Sequence, residues 1–374
     1  MRQQTHKKYA VGLILMLAIF FTVIESPRLF SGPAVDGNKV LRGVNLTYFM
    51  DVPNGAWMRK DGTLLWNVWD TAAIGEYLDG MKGWGINCIR TFVTAEWWIH
   101  DTAHFQNHIA YFLEQTAQRG ISVIFTFWRI SSSGTNGWAI GLPYPPYWTG
   151  NANDLALMPN AQTFIDLWRD VATKLKDHNN VIFEPFNEPN GYSFPDPSNA
   201  ENSWFATVQQ IITAIRATGA TNTIDIPWDG PINYDFVYNK PANDWSWITH
   251  HPLTDPADNL MYDMHAYSYF MDYAGLNLIH TREQILTLLT ETQTLNTASQ
   301  KRIMIGEIGC NMWKGDKQPQ EIEWFNNMLD VLNENNIGYC VFVGWTYDNE
   351  WTLVNGEPNY APNEVGEIFL DHLR

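Results

Sequence analysis

Short apolar runs alternate along this chain with stretches in which apolar residues return every third or fourth position. The first pattern suits buried strands and the second suits amphipathic helices. Strands are predicted over 40–49, 87–93, 122–128, 181–188, 223–228, 260–267, 302–309 and 339–347. Helices are predicted over 69–82, 105–118, 161–176, 204–217, 282–295, 320–335 and 363–373. A Gly/Pro/Trp-rich loop separates the third strand from the helix that starts at Ala161. Strand-then-helix alternation implies a parallel sheet covered by helices. Eight such strands in 374 residues suit an α/β fold, a closed (β/α)8 TIM barrel with enlarged βα loops. A doubly wound open sheet is the rival, but no Gly-rich phosphate turn follows the first strand. No internal repeat, low-complexity tract or second domain is visible.

The N-terminus departs from this pattern. Residues 1–8 are polar and basic, and residues 9–24 are almost unbroken apolar sequence. That run is short for a spanning helix and fits a secretory signal. The nearest small-x-small cleavage sequence, Gly32-Pro33-Ala34, carries a central proline, so an uncleaved anchor stays open. The expected division is a signal peptide or membrane anchor with linker over 1–34, and one catalytic domain over 35–374. The protein is therefore expected to be secreted, or tethered to a membrane by its N-terminus.

Composition narrows the partners. The 18 tryptophans exceed what a core of this size needs, and tryptophan is rarely fully buried, so some rings are expected to line a groove. Flat rings suit the apolar faces of sugars and also nucleobases. A net charge of −17 argues against a phosphate backbone and so against nucleic acid. Cys88, Cys310 and Cys340 are too few for a disulfide framework and match no zinc spacing. Asn45-Leu46-Thr47 is a formal glycosylation sequon, set aside because it lies inside a predicted strand.

The chemistry gathers at the predicted C-terminal ends of the strands, where this barrel class builds its sites. The second strand delivers Arg90, the third Trp128-Arg129, and the fourth Asn187-Glu188. The fifth ends at Trp228, the sixth offers His265 and Tyr267, the seventh Glu307 and the eighth Trp345. Pro189 is expected to end the fourth strand and to hold Glu188 extended. Two carboxylates on strands four and seven suit glycoside hydrolysis, in which one attacks the anomeric carbon and the other serves as acid and then base. Glu188 is the expected acid/base and Glu307 the expected nucleophile. Arg90 and the Tyr267 hydroxyl could hold the charge of Glu307, and Trp345 would form the floor beneath the sugar. Glu184, on the same strand face as Glu188, reads as a buried hydrogen-bond partner.

Several histidines and aromatics have plainer readings. His100, His104 and His108 recur at helical spacing, but no carboxylate joins them, so they read as a solvated face. His250-His251 reads as loop surface. Trp97, Trp98, Tyr147, Trp148, Trp228 and Trp351 follow strands, where each could pack a loop or carry a sugar.

The set Arg90 in NCIRTF, Asn187-Glu188-Pro189, His265-Ala266-Tyr267, Glu307 in GEIG, and Trp345 resembles glycoside hydrolase family 5 from about Val40 to the C-terminus. The resemblance implies that Asn187 contacts the 2-hydroxyl of the reacting sugar and that His265 and Tyr267 support the two glutamates. It also implies a non-proline cis peptide bond at Trp345-Thr346. Typical cellulases of the family end the third strand in a sugar-binding histidine, where this chain has Trp128. The family's β-mannanases have a tryptophan there and an Arg-Thr-aromatic sequence like Arg90-Thr91-Phe92. They also follow Asn-Glu-Pro with arginine, where this chain has Asn190.

The expected function is a retaining endo-β-1,4-glycanase, monomeric and free of cofactor or metal, acting on a neutral polysaccharide. Cellulose or β-glucan leads, with mannan as the alternative. A non-catalytic carbohydrate-binding barrel is the rival of another class, and a metal-dependent barrel hydrolase would need more ligands at strand ends than His265.

Overall fold

A computed structural model describes residues 39–49, 56–58, 64–67, 71–94, 98, 102–129, 133–134, 137–138, 161–188, 200–231, 233–235, 240–268, 279–312, 318–344, 352–354 and 361–374. The segment expected to be a signal or anchor lies outside them. No helix among the described residues is long and apolar enough to cross a membrane.

Eight parallel strands close into a barrel. They are β1 (Arg42–Phe49), β2 (Cys88–Thr94), β3 (Ser122–Arg129), β4 (Val181–Glu184), β5 (Ile224–Pro231), β6 (Leu260–Tyr267), β7 (Ile303–Gly309) and β8 (Gly338–Val341). Each pairs with its neighbours in sequence, and β1 pairs with β8 to close the ring. The helices are α1 (Thr71–Trp84), α2 (Thr102–Gln118), α3 (Ala161–Leu175), α4 (Ala200–Ala217), α5 (Trp247–His250), α6 (Arg282–Glu291), α7 (Gln318–Glu334) and α8 (Glu364–Leu373). This is the (β/α)8 barrel that the alternation predicts.

The departures are local. The single turn of α5, with a hairpin of Asn233–Asp235 and Lys240–Asn243 before it, stands where the pattern showed no helix. The helix expected over 282–295 breaks at Gln293, whose φ of 63° is left-handed, and resumes as Thr294–Ala298. The final helix starts as its sequence asks, because the Asn363 side chain accepts the Gly366 N–H at 2.9 Å.

Strand β4 ends at Glu184, four residues earlier than predicted. Pro185 has no N–H to give the ladder, so the strand stops before the apolar run does. The chain then bends and is recaptured on both sides. The Asn187 N–H donates to the Phe127 carbonyl at 2.7 Å, and the Trp168 indole N–H of α3 donates to the Pro185 carbonyl at 3.0 Å. Phe186 packs edge-on against Phe164 with ring centroids 5.9 Å apart. Burying such a ring contributes about 1.5–3 kcal/mol, so this bend is anchored by α3 as firmly as a strand would be.

Inside the barrel the strands stack two kinds of layer. Leu41, Cys88, Ile124, Ile182, Met261, Met304 and Cys340 form a separate apolar cluster at the N-terminal ends. All three cysteines are buried free thiols, as expected for inert core residues. Two residues further along β2, β4 and β6 come Arg90, Glu184 and Asp263, each fully buried.

Candidate active site

The barrel brings Arg90, Glu184, Asn187, Glu188, His265, Tyr267 and Glu307 into one connected network. Arg90 is its hub. Its Nε and Nη2 bind the two oxygens of Glu184 at 2.7 and 2.5 Å. Nη1 donates to Glu307 Oε1 at 2.8 Å and to Asn45 Oδ1 at 3.0 Å, and Nη2 also reaches Asn187 Oδ1 at 2.7 Å. All five guanidinium donors are thus used. A buried cation costs several kcal/mol unless its partners compensate, and here burial is opposed by Glu184, Glu307 and Asp263, which leave Arg90 firmly charged.

Glu307, near the end of β7, is held from both sides. Arg90 binds one oxygen, and the Tyr267 hydroxyl donates to the other at 2.7 Å. Its side chain is 7% exposed, so one carboxylate edge is aimed by fixed donors. Sequence had assigned both supports, and both are present. Glu184 likewise takes the buried partner role expected of it.

Glu188 differs from the expectation. Its φ is +44°, in the left-handed region, whereas the proline after it favours an extended backbone. Such a conformation costs about 1–3 kcal/mol and needs surrounding contacts to hold it. The Asn187 anchor on Phe127 lies on one side, and on the other His265 Nδ1 lies 2.8 Å from Glu188 Oε1. The Glu188 side chain is 40% exposed, far more open than Glu307.

His265 bridges the carboxylates. Its Nδ1 also lies 3.6 Å from Glu307 Oε2, and its Nε2 lies 3.6 Å from Asp263 Oδ2. Burial alone would lower its pKa, but Glu307, Asp263 and Glu188 together raise it well above the ordinary histidine value. These surroundings therefore favour the imidazolium. Burial would raise Glu188, yet the hydrogen bond and charge of His265, helped by Arg90, hold that carboxyl below its usual range. Glu188, His265 and Glu307 each place one atom within 4.8 Å of the other two. Within that cluster the imidazole nitrogen and the carboxylate oxygens are placed to act as donor and acceptors to one another.

Sequence reasoning missed Asn45, Asp225 and Asp263. Asn45 is fully buried, and its amide donates to the Gly306 and Cys340 carbonyls at 2.9 and 3.1 Å, which leaves its sequon inaccessible. Asp263 stands two residues before His265, and that alternation could have placed it in the barrel. Its carboxylate occupies the space a Cβ would need at Gly306, and the Gly306 N–H donates to it. Only glycine fits there.

The predicted aromatics divide. Trp228 is half-buried, stacked on Phe205 at 5.2 Å and on Trp247 at 5.5 Å. Trp98 is fully buried, its indole N–H donating to Asp170 at 2.7 Å, so it packs a loop. His251 lies against Phe205 at 4.2 Å, more enclosed than a surface residue. The Trp128 side chain, Trp345 and the Trp345-Thr346 bond, Trp97, His100, Tyr147, Trp148, Asn190 and Trp351 fall outside the described residues. A non-proline cis bond is present nearby, at Phe342-Val343.

With this geometry in place, similarity to known proteins becomes informative. Residues 43–349 match the family described as Cellulase (glycosyl hydrolase family 5). The chain is 27% identical over 240 residues to endoglucanase EG-II of Hypocrea jecorina, covering 60% of this chain and 50% of that protein. It is 32% identical over 220 residues to a probable endo-beta-1,4-glucanase B of Neosartorya fischeri, covering 57% and 60%. The match thus spans about half the length of such relatives. Among solved structures, the endocellulase of Pyrococcus horikoshii superposes with a TM-score of 0.63 at 18% identity, over 90% of this chain and 92% of that one. The endoglucanase Cel5A of Pseudomonas stutzeri, in complex with cellobiose, gives 0.61 at 18% identity, over 92% and 96%.

Proposed function

The chain belongs to the cellulase family, glycosyl hydrolase family 5, and from that premise we propose that it is a retaining endo-β-1,4-glucanase working through Glu188 and Glu307. The observation that carries the reading is the separation of these carboxylates, whose nearest oxygens lie within 4.8 Å. Retaining glycosidases hold their two carboxyl groups about 5–5.5 Å apart, whereas inverting ones leave about 6.5–9.5 Å for a water molecule.

In the first step Glu307 attacks the anomeric carbon while Glu188 gives its proton to the departing glycosidic oxygen. The C–O bond breaks and a glycosyl ester forms on Glu307. In the second step Glu188, now a carboxylate, takes a proton from water, whose oxygen attacks the same carbon and releases Glu307. Two inversions retain the configuration. Arg90 and Tyr267 hold and aim Glu307, and His265 orients Glu188. Arg90 occupies the Asn187 carbonyl oxygen and so turns the amide N–H groups toward a sugar hydroxyl.

Because His265 and Arg90 hold Glu188 below its usual range, its proton is available only under acidic conditions. Catalysis is therefore expected to fall as pH rises through that value. The names of the relatives favour glucan over mannan. The apolar N-terminal stretch supports export, and we place a monomeric enzyme outside the cell.

The test is reducing-sugar release from carboxymethylcellulose, glucomannan, galactomannan and xylan by the parent, Glu188→Ala and Glu307→Ala. The reading requires activity on the glucan that both substitutions abolish. A parent that binds a polymer without cleaving it would instead support a non-catalytic barrel.

A further inference from the structure

Beneath the glutamate pair lies a second carboxyl group cluster that the reaction does not use. Glu184, Asp225 and Asp263 are wholly buried, and one oxygen of each lies within 4.8 Å of the other two. Their partners are unequal. Glu184 has both oxygens on Arg90 and a further bond from the Thr126 hydroxyl at 3.0 Å. Asp263 Oδ1 accepts the Gly306 N–H, while its Oδ2 has no hydrogen-bond donor among the described residues. Neither oxygen of Asp225 has one.

We propose that Asp225 is a neutral carboxylic acid whose proton is shared with Asp263, and that the pair positions His265 and through it the acid/base Glu188. This rests on the glycosidase reading above for its consequence, though not for the proton itself. A carboxylate buried without a protein donor pays a heavy cost for its charge and takes up a proton instead. Once protonated, Asp225 has one O–H to give. Within the cluster the acceptor lacking a donor is Asp263 Oδ2, so one proton partners both residues. A cation in its place would compete with Arg90 for Glu184, whose oxygens are already engaged.

The charges around the pair agree. Asp225 faces Asp263, Glu184, Arg90 and, more distantly, Arg302; burial first and the two carboxylates next push it well above the usual range. His265 faces Asp263 through Nε2, and Glu188 and Glu307 through Nδ1. Both ring nitrogens thus point at carboxyl groups, so both carry protons. Asp263 thereby joins Glu307 and Glu188 in sustaining the imidazolium, which in turn holds Glu188 below its usual range. Asp225 and Asp263 are positioning residues, since neither reaches the sugar.

Infrared difference spectroscopy of the folded protein tests the proton directly. A carboxylic acid C=O band should persist at neutral pH in the parent, shift in heavy water, and vanish in Asp225→Asn. The pH profile of kcat/KM tests the consequence. Asp225→Asn donates an N–H where the acid donated an O–H, so its alkaline limb should fall where the parent's falls. Asp263→Asn removes the counter-charge of His265, Glu188 loses its cation, and the alkaline limb should move up by about one pH unit. Absence of the band in the parent, its survival in Asp225→Asn, or one equivalent of tightly bound metal per chain would overturn the shared proton. Equal limbs in the parent and Asp263→Asn would overturn the positioning role. The infrared result stands whether or not the polymer assays find activity, so the two readings fail separately.

Discussion

The two ends of the barrel interior are built by the same strands and held by opposite means. At the N-terminal end Leu41, Cys88, Ile124, Ile182, Met261, Met304 and Cys340 meet as an apolar plug. Further along, the space is filled by Arg90, Glu184 and Asp263 on three of those strands and by Asp225 on β5, and above them by His265 and Glu307. The plug is non-directional and gains from burial alone. The charged layer works only as a complete set, because each buried ion is tolerable only while its partners are present. The lower layer thus contributes stability alone, and the upper one couples stability to the geometry for chemistry.

Substitutions should separate the two layers in order of effect. The largest loss of activity is expected for Glu307→Gln, which keeps size and removes the attacking charge. Turnover in the cellulase assay should fall by several orders of magnitude, a loss far larger than any accompanying fall in the melting temperature measured by calorimetry. Arg90→Met should rank first for stability in the upper layer. It strips Glu184 and Glu307 of the cation between them, at a cost of about 3–5 kcal/mol, read from urea unfolding. If Arg90→Met melted like the parent, the charged layer would not depend on its hub.

In the plug, Ile182→Ala should cost about 2–5 kcal/mol while kcat per folded molecule stays near the parent value. A matching fall in kcat would show that the two layers are not separable. The smallest effects are those of pH. The raised pKa of His265 contributes stability that is fully present below about pH 6.5 and is lost as pH rises through the folded value. The lowered pKa of Glu188 contributes stability present above about pH 4.3 and lost as pH falls through its folded value. Melting temperatures across pH should therefore decline on the alkaline side in the parent and less steeply in His265→Gln. A steeper alkaline decline in that variant would contradict the imidazolium.

What the sequence determined by itself was local and periodic. Apolar runs such as Cys88–Thr94 and Ile303–Gly309 mark strands because the barrel buries both faces of each, and neighbours along the chain report that burial. Glu188 and Glu307 were legible for the opposite reason, as polar residues interrupting such runs at their ends. Pro185 was in plain view, but the apolar Phe186 beyond it made the strand read longer than it is. Asp225 and Asp263 looked like scattered acids, since they lie 38 positions apart on separate strands. Only the parallel pairing of β4, β5 and β6 brings the two together with Glu184. The left-handed turn at Glu188 was likewise beyond local reading, because proline chemistry favours the extended form and only contacts from β3 and β6 reverse it. Local pattern sets which residues are buried; the register and closure of the sheet set which buried charges meet.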